Sequence, residues 1–260
     1  MGTILLDISD DGVATLTLNR VKALNALNID LMTEVRAALE ELARDDRVKA
    51  LIITANGPAF CAGADLTGVP LADVASGKLQ MGDAISDMML EHFNPLMQAI
   101  YDFPKPVISA LNGIAAGGGV GLALCADIVL AAESAKIRVV QVNTLGIVAD
   151  LGANWLLPRL LGRGRAMAVS LLGDDVSARS LESWGVVWQV VEDQQLLSTA
   201  QSLAKRLAKA PANAVIATRR LVDGASEESF ADTLEAERLA QRKLCNEPVF
   251  FESVKAFISR

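Results

Sequence analysis

Residues 106–127 read Pro-Val-Ile-Ser-Ala-Leu-Asn-Gly-Ile-Ala-Ala-Gly-Gly-Gly-Val-Gly-Leu-Ala-Leu-Cys-Ala-Asp. The order predicts a buried strand at Val107 and Ile108, a turn at Asn112-Gly113, and an apolar helix opening at Gly117 to Gly119. Consecutive glycines at a helix start leave bare backbone, with unpaired N–H groups and the positive end of the helix dipole facing outward. Such a place suits an anion, or an oxygen that becomes one during reaction. A second loop of the same character, Phe60-Cys61-Ala62-Gly63-Ala64-Asp65-Leu66, follows another strand-like run at residues 50–54. Tight packing of a helix on a sheet would explain one such loop, but two in one chain are more specific. No Gly-Lys-Ser/Thr follows the glycines, which excludes a P-loop, and the Gly-x-Gly-x-x-Gly pattern is poorly placed for a dinucleotide fold.

Outward from these loops, 260 residues suit one large α/β domain with an appendage. Apolar residues make up 52% and aromatics only 4%, so the core should be rich in Ala, Leu and Val. The longest apolar run, near residues 120–130, is broken by Gly121 and Asp127 and is too short to span a membrane. Met1-Gly2-Thr3-Ile4 does not resemble a signal peptide, and three scattered cysteines give neither a disulfide framework nor zinc spacing. The expected compartment is the cytoplasm. A net charge of −7, with no basic cluster longer than Arg219-Arg220, argues against nucleic acid and anionic membranes as partners.

Residues 5–8 and 13–18 flank Asp10-Asp11-Gly12, a hairpin signal. Asn28 is placed to cap a helix whose buried face is Leu31, Val35, Ala38/Leu39 and Leu42. Residues 67–82 carry Gly68, Pro70, Gly77 and Gly82 with little periodicity and read as a mobile segment. Helix follows over 83–101. Strands are expected at 127–131, 138–142 and 186–191, and helices at 153–161, 163–172 and 178–184. After residue 193 the chain reads as helix alone, at 194–209, 212–223, 226–245 and 247–259. Two parts are therefore expected: a core at 1–193 and a helical C-terminal region at 194–260.

Residues 60–66 and 112–127 resemble the two signature segments of the enoyl-CoA hydratase/isomerase (crotonase) superfamily. The likeness extends from Asn19-Arg20-Val21-Lys22-Ala23-Leu24-Asn25-Ala26-Leu27 through Leu156-Leu157-Pro158-Arg159-Leu160-Leu161-Gly162 to the C-terminus. It implies an α/β fold, a spiral of ββα repeats ending in an all-helical region, and a substrate carried as a coenzyme A thioester. No prosthetic group or metal is implied. By the same resemblance the amides of Ala64 and Gly118 form an oxyanion hole for a thioester enolate. Lys22, Ala23 and Leu24 would line the pantetheine and phosphate path, with Ala62, Asp65 and Leu66 on the adenine side. Lys255 resembles a C-terminal lysine that reaches a neighbouring subunit's nucleotide in relatives, and Lys22 and Lys255 both also fit plain solvated surface. Relatives assemble as trimers or dimers of trimers. Leu221, Phe230, Leu234 and Leu239 could make such contacts or belong to an intramolecular core.

Hydratases of the family use two glutamates to position and ionise water. The first position is Gly121 here, and the second falls at Gln141 or Val142. Neither glycine nor glutamine can act as a base, so two-glutamate hydration is not expected. Leu145-Gly146-Ile147-Val148-Ala149-Asp150-Leu151-Gly152-Ala153-Asn154-Trp155 resembles the segment that supplies the single catalytic acid of enoyl-CoA isomerases, including phenylacetate-pathway ring isomerases. Asp150 is thus the candidate proton carrier, or else a helix N-cap. Ala149 and Gly152-Ala153-Asn154 depart from the usual Pro and Gly-Gly-Thr. The expected reaction is Δ3-to-Δ2 isomerisation of an enoyl-CoA. The alternatives are a hydratase-like lyase, a dehalogenase-like enzyme attacking an aryl-CoA through Asp150, and a non-catalytic acyl-CoA scaffold. His92 reads as a surface or satisfied histidine, Glu91 as a solvated side chain, and Cys125 and Cys245 as small core residues. Cys61 has no His beside it to make it a nucleophile.

Overall fold

The structure, a computed structural model, describes residues 2–69 and 71–259. Ile4–Ile8 (β1) and Val13–Leu18 (β2) form the expected antiparallel hairpin, turning at Gly12 with φ 78°. Asn28 caps the Ile29–Arg44 helix, its side chain accepting from the Leu31 amide at 3.0 Å. Leu31, Val35, Ala38, Leu39 and Leu42 are all buried, and each of the larger side chains contributes about 1.5–3 kcal/mol of burial. The chain then winds through Ala50–Ala55 (β3), Ala59–Cys61 (β4), Val107–Leu111 (β5), Ile114–Ala116 (β6), Ile128–Ala132 (β7) and Lys136–Arg138 (β8). Val176–Ser177 (β9) and Gln189–Val191 (β10) complete the strands among the described residues.

Each turn of this winding adds one strand to each of two sheets. β3, β5 and β7 are parallel neighbours in a sheet ordered β1-β2-β3-β5-β7-β10, and β4, β6 and β8 are parallel neighbours in one ordered β4-β6-β8-β9. β3 and β5 are buried at every position, as parallel strands covered on both faces must be. Helices follow each strand pair: Met81–Met88 continuing to Asn94–Tyr101, then Gly118–Leu124, then Ala153–Leu172. The last of these breaks at Gly162 (φ 70°), matching the two expected helices. The spiral of ββα units is the expected fold.

Several local expectations are corrected. The strand expected at 138–142 stops at Arg138, and a π-helical turn, Gln141–Leu145, takes over. The expected strand at 186–191 shortens to β10. The segment at 67–82 contains the 3-10 turn Leu66–Gly68 and the helix Leu71–Ala75 before the Met81–Met88 helix begins; Pro70 lies outside the described residues. Cys245 is exposed rather than buried, and Cys125 is half-buried.

Leu196–Leu207, the first helix of the C-terminal region, packs on the large sheet through Leu196, Ala200 and Ala204. The helices Ala212–Gly224, Phe230–Leu244 and Pro248–Ile258 contain no buried residue. Phe230, Leu234 and Leu239 are exposed, so they do not belong to an intramolecular core. One arginine clamps this layer to the spiral. Arg219 Nε and Nη2 meet Asp127 Oδ1 and Oδ2 at 2.6 and 2.7 Å, and its remaining N–H groups donate to the carbonyls of Tyr101, Phe103 and Lys105. Asp127 Oδ2 also accepts from the Val107 amide at 2.7 Å, tying the two ends of residues 107–127 together. Arg219→Ala leaves that carboxylate with only the Val107 amide and removes the side-chain donor from three carbonyls. It should lower unfolding free energy by roughly 2–4 kcal/mol in a denaturant titration.

Candidate active site

The loop after β4 and the turn after β6 meet at glycine. Gly63 takes φ 94° and Gly117 φ 54°, conformations that L side chains rarely adopt. A Cβ on Gly63 would stand 2.9 Å from the Ala116 carbonyl oxygen and 3.1 Å from the Gly118 amide nitrogen. The two loops therefore touch through bare backbone. A Cβ on Gly119 would overlap the Cys61 carbonyl, so the Gly118–Leu124 helix lies directly against the end of β4.

Hydrogen bonding selects which amides stay free. Residues 24–27 run beside the first loop, with Ala62 N donating to Leu24 O (3.0 Å), Leu27 N to Gly63 O (2.7 Å) and Asp65 N to Leu27 O (2.9 Å). In such a parallel bridge the amide between the two bonded positions faces the other way. That amide belongs to Ala64, and it has no acceptor among the described residues. Gly117 N donates to Arg138 O, whereas the Gly118 N–H, at the first helical position, also has no acceptor among the described residues. Neither amide is consumed by a neighbouring carbonyl.

Asp150 comes to the same place. A Cβ on Gly118 would stand 3.2 Å from Asp150 Oδ1 and 2.9 Å from Leu151 Cδ1. The loop reaches there by an unusual backbone, with Leu151 at φ 47° and Gly152 at φ 79°. Asn154 Nδ2 holds it by donating to the Ala149 carbonyl at 2.6 Å, so the altered Ala149 and Asn154 form their own latch. Gly152, not Asp150, is the N-cap of the Ala153–Leu172 helix, and the Asp150 side chain makes no capping bond. Instead Oδ1 accepts from Gln141 Nε2 at 3.0 Å. Burial pushes the Asp150 carboxyl above its usual range, and the Gln141 hydrogen bond partly opposes this.

Gly121 explains why the loop can sit so close. A Cβ there would overlap the Leu151 carbonyl oxygen, so a glutamate at this position is sterically incompatible with the present path of the Asp150 loop. Of the two candidates for the second glutamate position, Gln141 is the buried one and faces Asp150.

The two segments expected to contact coenzyme A run side by side. Lys22 and Ala23 lie in the 3-10 turn Val21–Ala23, Leu24 follows at φ 50°, and the Ala62 amide bonds the Leu24 carbonyl. Lys22, Leu24 and Leu66 are exposed. Asp65 is already engaged, paired with Arg20 at 2.8 Å and accepting from Thr67 N and Oγ1. The Thr67 hydrogen bond, helped by Arg20, holds its carboxyl below the usual range against the opposing effect of burial. Its observed role is to brace the loop.

Sequence reading passed over Asn25, which organises this side. It is fully buried at φ 55°, donates to the carbonyls of Asn56 and Ala59, and accepts from Arg20 N at 2.8 Å. Cys61 lies beneath the loop with its thiol pushed up to about 12 by burial, so it remains a neutral core group. Lys255 is on the surface beside Glu252, far along the last helix. His92 is half-buried with the exposed Glu91 beside it. Among the described residues no three His, Cys, Asp or Glu side chains gather to hold a metal, and no helix is long and apolar enough to cross a membrane.

The family model described as enoyl-CoA hydratase/isomerase matches residues 9–260. The chain belongs to this family. It is 40% identical over 261 residues to the 1,2-epoxyphenylacetyl-CoA isomerase of Escherichia coli, covering 100% of this chain and 97% of that protein. It is 30% identical to the trans-2-decenoyl-acyl-carrier-protein isomerase of Streptococcus mutans, covering 96% and 93%. Among solved structures, the enoyl-CoA hydratase of Bacillus anthracis superposes with a TM-score of 0.87 at 29% identity, covering 99% and 96%. Similar proteins thus carry both isomerase and hydratase names, and the choice between the two rests on the residues of this chain.

Gly121→Ala tests the contact that admits the Asp150 loop. Its methyl group would have to displace Leu151, so unfolding free energy should fall by at least about 1–3 kcal/mol in urea titration.

Proposed function

We propose that this acyl-CoA-transforming enzyme moves a double bond along an enoyl-CoA through a dienolate. The observation that carries the reading is one Asp150 carboxylate packed against Gly118, next to a position, 121, where a glutamate is sterically barred. In this reading the thioester oxygen accepts from the Ala64 and Gly118 amides. Asp150 removes a proton from the α-carbon, and the electron pair of that C–H bond passes into the carbonyl, leaving the negative charge on oxygen. Each amide donor is worth roughly 2.7–4 kcal/mol to such a transition state. The same carboxyl, now protonated, returns the proton to the γ-carbon as the double bond shifts from Δ3 to Δ2. Atoms balance, and no water or redox partner enters.

Two features suit Asp150 to this role. Its burial raises the pKa toward the range where a carboxylate can both take and give a proton. The close fit of Leu151 against Gly118 and Gly121 keeps the carboxyl next to the helix start. Coenzyme A would lie along Lys22, Ala23, Leu24, Ala62, Asp65 and Leu66. In this reading Asp65 contributes mainly through its backbone, since its carboxylate is paired with Arg20. Relatives carry isomerase and hydratase names alike, one of them naming an epoxide of an aryl-acetyl thioester, so the preference for isomerisation rests on Asp150 and Gly121 of this chain. The assembly proposed is a homotrimer or a dimer of trimers, supported by the exposed Phe230, Phe250, Phe251 and Phe257 on the last helices.

Asp150→Asn should lower turnover of a Δ3-enoyl-CoA by roughly 10²–10⁴-fold with little change in acyl-CoA affinity. Deuterium from solvent should enter the α-position with the wild-type protein and not with the mutant. In the wild type the reactive form is the carboxylate, so kcat/KM should fall as pH drops through the raised Asp150 pKa. Oxygen-18 from water in a 3-hydroxyacyl product, or unimpaired exchange in Asp150→Asn, would reject this mechanism.

A further inference from the structure

Gln141 is a buried polar residue that the proton transfer itself leaves unused. It is 3% exposed, and its Oε1 is buried with no hydrogen-bond partner among the described residues. An unpaired buried acceptor is unfavourable, and its retention calls for a reason. The other end of the same amide supplies one, since Nε2 donates to Asp150 Oδ1 at 3.0 Å. Nε2 also lies 3.8 Å from where a Cβ on Gly117 would stand, between the acid and the glycine turn. The Gln141 carbonyl accepts from the Ile147 amide at 3.1 Å, so this residue anchors the segment leading to Asp150 as well as the carboxyl itself.

We propose that Gln141 is a positioning residue that holds Asp150 Oδ1 and leaves Oδ2 as the oxygen exchanging protons with the acyl chain. The inference rests on Asp150 being the proton carrier. A neutral amide suits this task because its N–H can donate to Oδ1 in both states of the acid, as carboxylate oxygen or as carbonyl of the protonated form. The carboxyl plane then need not turn between taking and returning the proton. A cation at this place would hold Asp150 ionised, and a carboxylate would repel it.

The surroundings add little charge. The Gly118–Leu124 helix opens with glycines, the Gln141–Leu145 turn contributes only neutral side chains, and Asn154 is the polar side chain at the start of the next helix. Cys61, under the glycine turn, is neutral. A cavity of about 200 Å³ behind the loop, bordered by Val142, Val148, Ala149 and Asn154, has one charged side chain on its wall, Arg163. The influences on the Asp150 carboxyl are burial, Gln141 and its own backbone amide.

Carbon-13 NMR of the full-length protein labelled at aspartate Cγ reads Asp150 without substrate, its signal assigned with Asp150→Asn. In Gln141→Met, which keeps side-chain length, the titration midpoint should rise by about one to two pH units because a hydrogen bond that is stronger to the carboxylate than to the protonated acid is lost. The acidic limb of kcat/KM should move by the same amount while KM stays near the wild-type value. Gln141→Glu should raise the midpoint as well, through two carboxyls sharing one proton. An unmoved midpoint in folded Gln141→Met, or a KM defect with an unchanged pH profile, overturns the positioning role. A moved midpoint together with normal deuterium exchange in Asp150→Asn upholds the Gln141 contact and rejects Asp150 as the carrier.

Discussion

The Leu151 carbonyl packs against Gly121, in space that a β-carbon at position 121 would fill. That contact governs the site, because the helix start supplying the free Gly118 amide also receives the backbone that carries Asp150. A side chain at 121 and the present loop cannot coexist. The chain thus brings a carboxyl from the loop to the helix start while leaving no room for one at position 121. The same constraint acts on the other side of the helix, where Gly119 lies against the Cys61 carbonyl and brings the first loop within reach. Glycines on both sides of one short helix bring two loops and two free amides together.

The spiral makes this convergence possible. Because each turn adds one strand to each sheet, the ends of β4, β6 and β8 fall side by side in the smaller sheet. The segments leaving them contain Ala64, Gly118 and Gln141, far apart in sequence but adjacent in space. Stiffness comes from groups buried around these segments. Asn25 fixes residues 20–27 against the start of β4, Asp65 and Arg20 brace the first loop, and Asp127 with Arg219 closes the strand–helix unit that includes the glycines. Leu151 at positive φ is the one strained non-glycine residue in the acid-bearing loop, and its tight packing against Gly118 stabilises that conformation.

Much of this was legible in the amino-acid order. The Val107–Leu111 strand, the Asn28 cap, the glycine-opened helix and the break at Gly162 each follow from residues acting locally. The paired glycine loops, taken with their resemblance to a known family, were enough to expect the spiral. Expectations failed where tertiary contact outweighed local pattern. Val139 to Val142 look like strand, yet Gln141 turns inward to meet Asp150 and the backbone winds into a π-helical turn. Asn25 gave no signal because its value lies in two carbonyls that only folding brings near. Asp150 could be read as a cap or an acid; that it is no cap follows only from the folded loop, where Gly152 takes the cap position and Gln141 binds the carboxyl. Cys245, Phe230, Leu234 and Leu239 have core-like chemistry on a layer that the single chain leaves uncovered.

A crystal structure with a non-reactive enoyl-CoA analogue bound is the most direct test of the central claim. The account predicts the thioester oxygen within hydrogen-bond distance of both the Ala64 and Gly118 amides, with Asp150 Oδ2 about 3 Å from the α-carbon and no water between them. A thioester turned away from those amides, or an ordered water held between Asp150 and the double bond, would contradict it.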